Sequence, residues 1–539
     1  MSFVSPDWRG IWPATRTERH YGERLVTCFV ERPRSLHAML DAAVARNADG
    51  DALVCGAERI TYRALQARSG RIAAGLQARG VRAGDRVAML LGNRNEFVLT
   101  LFAVARLGAI AVPISVREQT PGLAYMLAHS GAVLLVHEAE LGGILPATGD
   151  TPALRTRVTV GGECAGSEPY AALERYGDGP APAAVAEEDT AAILYTSGTT
   201  GRPKGAMLTH LGLVHSSMHF QTGMALGPGD CTVAAVPLSH VTGLVALITT
   251  FICSAGKLVI MPAFKAAEFL PLAARERMTH ALMVPAMYNL CLLQPDFARH
   301  DLTRWRIGAY GGAPMPLATI ATLARTVPAL TLMNCYGSTE TTSPTTLMPP
   351  GCTAAHVDTV GTMLACAEVR VVDDLGKEVT RGTLGEIWIK GPMVVPGYWI
   401  DPEATAENFS DGYWHSGDLG SLDADGYVRV LDRKKDMINR GGYKIYTIEV
   451  ENALYQHPAV QECAVVARAC PVLGERVHAF VFLGHAAVTA EALTAHCRPL
   501  LADYKVPDSF TLSVTPLPRN ANGKLLKRAM RETLTAYTR

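Results

Sequence analysis

Residues 195–205 read YTSGTTGRPKG, with three glycines, three threonines and one serine in eleven positions. Such a turn is flexible and rich in backbone N–H and hydroxyl donors, and Arg202 and Lys204 add positive charge. Close backbone approach and many donors are what a polyphosphate needs. The candidate contacts are Thr196, Ser197, Gly198, Thr199, Thr200, Gly201 and Lys204. The string is not the GxxxxGK[ST] phosphate loop, because Gly205 follows Lys204.

Further strings follow in order: GGAP at 311–314, YGSTE at 336–340, YWHSGD at 413–418, DRKK at 432–435 and PRNANGK at 518–524. Taken singly, each is weak. Glu340 offers a carboxylate to Mg²⁺, and Asp418 can accept from the two hydroxyls of a ribose. A turn aspartate, a solvated basic run at 433–435 and a surface Lys524 are the ordinary readings of the same residues. Their order changes the balance.

Together with the phosphate turn, these strings resemble the adenylate-forming superfamily, which comprises acyl-CoA synthetases, peptide-synthetase adenylation domains and firefly-type luciferases. The resemblance covers the chain apart from about its first 30 residues. It implies that Tyr336 stacks on adenine beside Gly312, Ala313 and Pro314. Thr339 then contacts the α-phosphate, Glu340 ligates Mg²⁺, Asp418 holds the ribose, and Arg433 contacts the ribose or a phosphate. Lys524 is implied as the catalytic lysine bridging carboxylate and α-phosphate, and Lys435 as the hinge. Gly441 and Gly442, in RGGY at 440–443, are implied to reach the thiol channel. The implied reaction has two steps. A carboxylate first attacks MgATP, giving acyl-AMP and pyrophosphate. A thiol then takes the acyl group and AMP leaves.

His240, in PLSHVTG at 237–243, matches the superfamily's substrate gate, although a core histidine is the alternative. Members that activate amino acids carry an aspartate near this segment. None occurs from Cys231 to Gln294, so a neutral fatty or aryl acid is expected. Fifteen residues follow Lys524, which leaves free CoA or a separate carrier protein as the thiol. The expected substrates are thus a carboxylic acid, ATP and CoA, with Mg²⁺. An enzyme loading a carrier protein, a luciferase-like oxygenase and a non-catalytic scaffold are the alternatives. A homodimer is compatible with the sequence but not written in it.

Short apolar runs at 86–91, 109–113, 132–136, 232–236, 257–261 and 280–284 alternate with helical patterns, which predicts parallel βαβ units. The stretch 142–188, rich in Gly, Ala, Pro and Glu, reads as a surface connection with some short elements. From about 360 the texture turns β-rich, and after 436 a small α+β module follows, with helices near 448–456 and 489–502. The expected fold is therefore α/β: a large domain (1–434) of parallel sheets with a β-barrel-like subdomain, hinged to a small α+β domain (435–539). The 539 residues are 48% hydrophobic with formal net charge zero, giving no global reason for nucleic-acid binding. Residues 231–256 lack Lys, Arg, Asp and Glu, but Pro237, Ser239 and His240 interrupt them. A strand, a loop and a core helix are expected there, not a membrane span. The twelve scattered cysteines and the charged N-terminus point to reduced thiols in a cytoplasmic protein.

Overall fold

A computed structural model describes residues 8, 10–196, 202–313, 315–484, 488–519 and 525–536. The chain divides into two compact units. The first comprises Met1–Val369, Trp388–His415 and Asp425–Val428; the second comprises Arg370–Ile387, Ser416–Ala424 and Arg429–Arg539.

The apolar runs of the first unit become buried strands of two sheets. In the seven-stranded sheet, Arg86–Leu90 runs parallel to Ile110–Pro113 and to Ala132–Glu138. The helices Asn95–Arg106 and Thr120–Ser130 form the crossovers. The second helix stops at Gly131, whose φ of 63° suits a left-handed cap. Thr190–Thr196 joins this sheet parallel to Ile110–Pro113 and is itself paired antiparallel with Lys204–Thr209. The stretch 142–188 carries short elements, as expected. Thr156–Val160 lies within it and extends the sheet beside Ala132–Glu138, with Val158 and Val160 buried.

The nine-stranded sheet holds six parallel neighbours: Thr331–Tyr336, Ile307–Tyr310, His280–Met283, Cys231–Ala234, Lys257–Ile260 and Asp51–Cys55. Four of these lead, at their carboxyl ends, into the segments that carry Tyr336, Gly311, Val284 and His240. In open α/β sheets that edge is where ligands bind. The charge-free segment forms the expected strand, loop and core helix, but the helix begins with π geometry over Thr242–Thr249 before Thr250–Ser254. The Thr250 hydroxyl donates to the Val245 carbonyl at 2.8 Å, five residues back, and so supports the wider turn. Among the described residues no helix is long and apolar enough to cross a membrane.

In the second unit, Gly474–Phe482 pairs with Glu462–Cys470, Ile438–Arg440 and Ser509–Ser513. The helices Thr447–Tyr455 and Ala490–Cys497 cover one face, burying Val450, Leu454, Val465, Val481 and Leu493. Ala464, Val466 and Phe480 face the other way, with Met530 of the helix Lys527–Ala536. The alternation of a strand thus supplies two cores.

Candidate active site

In the first unit the constellation forms around Glu340. Thr196 and Lys204 are opposite each other on the antiparallel pair that flanks 197–203. The Thr196 hydroxyl approaches Glu340 Oε1 at 3.4 Å. The Ser338 hydroxyl donates to Oε2 at 2.7 Å and Tyr398 Oη to Oε1 at 3.0 Å. Glu340 is 7% exposed. A carboxylate so buried, meeting three hydroxyls, is a hard-oxygen donor set of the kind Mg²⁺ takes beside substrate phosphates. The residues present therefore fit that ion. Burial, and next the charge of Glu340, hold the Tyr398 hydroxyl above its ordinary range, so it stays a donor.

Lys204 is also buried. Its Nζ lies 5.2 Å from the Tyr398 ring centroid and 3.9 Å from the exposed Glu407. The two ends of the 197–203 segment are held by the helix Thr120–Ser130. Tyr195 Oη meets His129 Nδ1 at 2.9 Å, and Tyr125 Oη donates to the Pro203 carbonyl at 3.2 Å. Burial lowers the His129 pKa, which favours the neutral ring for this bond. Ser197, Gly198, Thr199, Thr200 and Gly201 lie outside the described residues, as do Pro314 and Lys524.

Thr339 is buried on the turn after Tyr336, where the Thr342 N–H donates to the Thr339 carbonyl at 3.0 Å. Tyr336 is half-buried at the end of its strand, and its carbonyl accepts from Thr345 N. On the neighbouring strand, a Cβ on Gly311 would stand 2.5 Å from the Cys335 carbonyl, so that turn admits only glycine. Gly312 follows at φ 77°, and Ala313 is exposed.

His240 is half-buried. His240 Nδ1 meets both the N–H and the hydroxyl of Thr242, at 3.3 and 3.1 Å, which orients the ring. Asn93 locks the loop before it. Its amide donates to the carbonyls of Val236 and Met261 at 3.0 Å each, and its oxygen accepts from Leu238 N at 2.9 Å. Neither Asn93 nor Tyr398 belongs to a string singled out from the sequence. The glycine-aromatic run GYW at 397–399 was the available signal for Tyr398; a lone asparagine after a strand carries none.

In the second unit, Asp418 is buried and pairs with Arg433 through Oδ1 and Nε at 3.0 Å. Gly417, at φ 67°, turns the strand, and its carbonyl accepts from Lys434 N. The neighbouring Asp432 faces inward. It accepts from the N–H of Arg433 and from the backbone and hydroxyl of Thr447, and burial raises its carboxyl. Lys435 is exposed. Gly441 and Gly442 form the two-residue turn of the hairpin Ile438–Arg440/Tyr443–Ile445, with φ of 58° and 95°. Two consecutive positive φ values explain why both are glycine. The twelve cysteines are free.

Residues 40–399 match the AMP-binding enzyme family, and 449–524 match the AMP-binding enzyme C-terminal domain. The chain is 36% identical over 479 residues to the feruloyl-CoA synthase of an Amycolatopsis species, covering 88% of this chain and 94% of that protein. It is 34% identical over 504 residues to the fatty acid–[acyl-carrier-protein] ligase ScoC of Streptomyces coeruleorubidus, covering 89% and 93%. A similar solved structure is that of the anthranilate CoA ligase AuaEII with anthranoyl-AMP, at TM-score 0.88 and 26% identity, covering 94% of this chain and 98% of that one. The chain thus belongs to the AMP-binding enzyme family, within the adenylate-forming superfamily, and is of its acid–CoA ligase type.

Proposed function

We propose that this ligase activates a hydrophobic monocarboxylic acid, aromatic or fatty, and passes it to free CoA in the cytoplasm. The observation that carries this reading is the buried Glu340 held by hydroxyls with Lys204 close by, at the carboxyl edge of a parallel sheet. One anionic and one cationic group are thereby available to a triphosphate and its metal ion.

In this reading Glu340 holds Mg²⁺, which when bound neutralises charge on the phosphates. Lys204 and the 196–201 segment bind the triphosphate. Tyr336 stacks on adenine beside Gly312, Ala313 and Pro314, and Thr339 meets the α-phosphate. Asp418 and Arg433 take the ribose. His240 meets the incoming carboxylate oxygen. An anion attacking a polyanion faces an electrostatic and positional barrier, and Lys204, Lys524 and His240 lower it. The carboxylate oxygen bonds to the α-phosphorus and the bond to pyrophosphate breaks. The CoA thiolate then attacks the acyl carbon and AMP leaves. Residues 1–434 act as the adenylating domain and 435–539 as a mobile domain turning at Lys435, exchanging Lys524 for the Gly441–Gly442 turn between the two steps.

Substrate class follows from the segments at the sheet edge. Val241, Met287 and Tyr310 are buried, and no aspartate stands between Cys231 and Gln294 to pair with an ammonium. Pyrophosphate release with MgATP tests this on a panel of cinnamic, benzoic, fatty, amino and dicarboxylic acids, each with and without CoA. CoA-stimulated turnover confined to the first three supports the reading. Turnover on amino acids, or acyl-AMP that CoA never discharges, contradicts it; the second result points to a carrier protein as acceptor.

A further inference from the structure

Lys204 and Glu340 carry opposite charges in a largely buried site, and each is needed for a different part of a metal-bound triphosphate. Left to themselves they would form an ion pair, which ATP would then have to break. Among the described residues no ion pair joins them; Lys204 instead pairs with Glu407 at 3.9 Å. Tyr398 is the residue that meets both. Its ring face takes the Lys204 ammonium at 5.2 Å and its hydroxyl donates to Glu340 Oε1 at 3.0 Å. An aromatic face attracts a cation and a phenol hydroxyl serves an anion, so one side chain suits both charges.

The position of Tyr398 is set by the strand that carries Lys204. Ala206 and Tyr398 form an antiparallel bridge, Trp399 N donates to the Gly205 carbonyl at 2.7 Å, and Met207 N donates to the Gly397 carbonyl at 3.2 Å. On its other side, the Thr405 hydroxyl accepts from Tyr398 N at 2.9 Å. Tyr398 itself is 6% exposed. The ring therefore has a fixed place between the lysine and the carboxylate.

We propose that Tyr398 is a positioning residue that keeps Lys204 and Glu340 separate and oriented for a Mg²⁺-bound triphosphate. This rests on the reading of Glu340 as the metal ligand. It goes beyond that reading by assigning the preorganisation of both charges to a tyrosine outside the motif strings.

The test is calorimetric titration of the full-length protein with ATP in Mg²⁺, with ATP in EDTA, and with AMP in EDTA. It uses wild type, Tyr398→Phe, Glu340→Gln and the double variant, with each variant's thermal midpoint recorded. Tyr398→Phe removes only the hydroxyl. It is expected to weaken MgATP binding about tenfold, the scale of one hydrogen bond to a charged group, and to leave AMP binding within about twofold. In the Glu340→Gln background it is expected to change MgATP binding no further. Equal weakening of MgATP and AMP, unchanged MgATP binding, or full additivity with Glu340→Gln overturns the proposal. Should wild type bind ATP equally well in Mg²⁺ and EDTA, with Glu340→Gln indistinguishable from it, the metal-ligand reading itself falls. If Tyr398→Phe does not fold, Tyr398→His, which keeps a ring and an N–H donor, is compared with Tyr398→Leu. Retention of the Mg²⁺ response by His and its loss by Leu is the expected result, and equal responses overturn the proposal.

Discussion

Arg433 donates from Nε to Asp418 Oδ1 across 3.0 Å, so the two side chains assigned to one ribose also hold each other. The guanidinium orients the carboxylate, and Asp418 N is fixed by the Ser416 hydroxyl at 3.0 Å. Asp418→Ala is expected to raise the KM for ATP by about ten- to a hundredfold, the range of charged hydrogen bonds, with a smaller fall in kcat. Steady-state kinetics with varied ATP measures it. An unchanged KM removes Asp418 from the nucleotide site.

The two half-reactions should separate by mutation. Lys524→Ala is expected to lower adenylation by about 10²–10³-fold or more while sparing thioester formation from supplied acyl-AMP. Gly442→Val should do the reverse, because φ of 95° in a two-residue hairpin excludes a β-branched side chain. Rapid-quench assays of each step read both. Equal loss of both steps in either variant contradicts the division of labour.

Asn93 tests the link between fold and acid binding. Its side chain satisfies three buried backbone groups on the 236–238 and 261 segments. Asn93→Ala strands them, at a cost of about 1–3 kcal/mol each where water cannot reach. The thermal midpoint should fall, and the KM for the acid should rise more than the KM for ATP as the His240 loop loosens. A lower midpoint with both KM values unchanged would confine Asn93 to stability.

Acid sensitivity follows from buried imidazoles. Burial lowers His210 and His215 to about 4 and His280 to about 3. The unfolded chain takes up these protons near pH 6.5 and the folded chain does not. Stability is therefore complete above about 6.5 and is lost as pH falls from there toward about 4. For His210 and His215, each lowered to about 4, this loss is on the order of 3 kcal/mol per histidine once both states are protonated. Denaturant melts at pH 7.5, 6 and 5 check the direction, and His215→Gln should flatten the slope. Stability rising on acidification would contradict the assignment.

The candidate site residues were legible where their residue types cluster locally. The Gly- and Thr-rich turn at 195–205 stands out within eleven residues, whereas Tyr-Gly-Ser-Thr-Glu at 336–340 gains meaning only from its order after that turn. The parallel strands were legible for a similar reason, being apolar runs bounded by turns. Thr156–Val160 was not, since its two buried valines sit in a Gly- and Pro-rich stretch and only pairing with Ala132–Glu138 makes them a strand. The π geometry of Thr242–Thr249 was hidden because a uniformly apolar run has no period to betray its turn. Tyr398 and Asn93 act through partners 58 and about 145 residues away, respectively. Such pairings exist only in the folded chain.

In the proposed reaction a carboxylate oxygen attacks the α-phosphorus of ATP before any thioester forms. The most direct measurement is single turnover with an ¹⁸O₂-carboxylate substrate, MgATP and CoA, read by mass spectrometry of the products. One ¹⁸O is expected in AMP, one in acyl-CoA and none in pyrophosphate. Label in pyrophosphate or inorganic phosphate, or unlabelled AMP alongside labelled acyl-CoA, would contradict the proposed reaction.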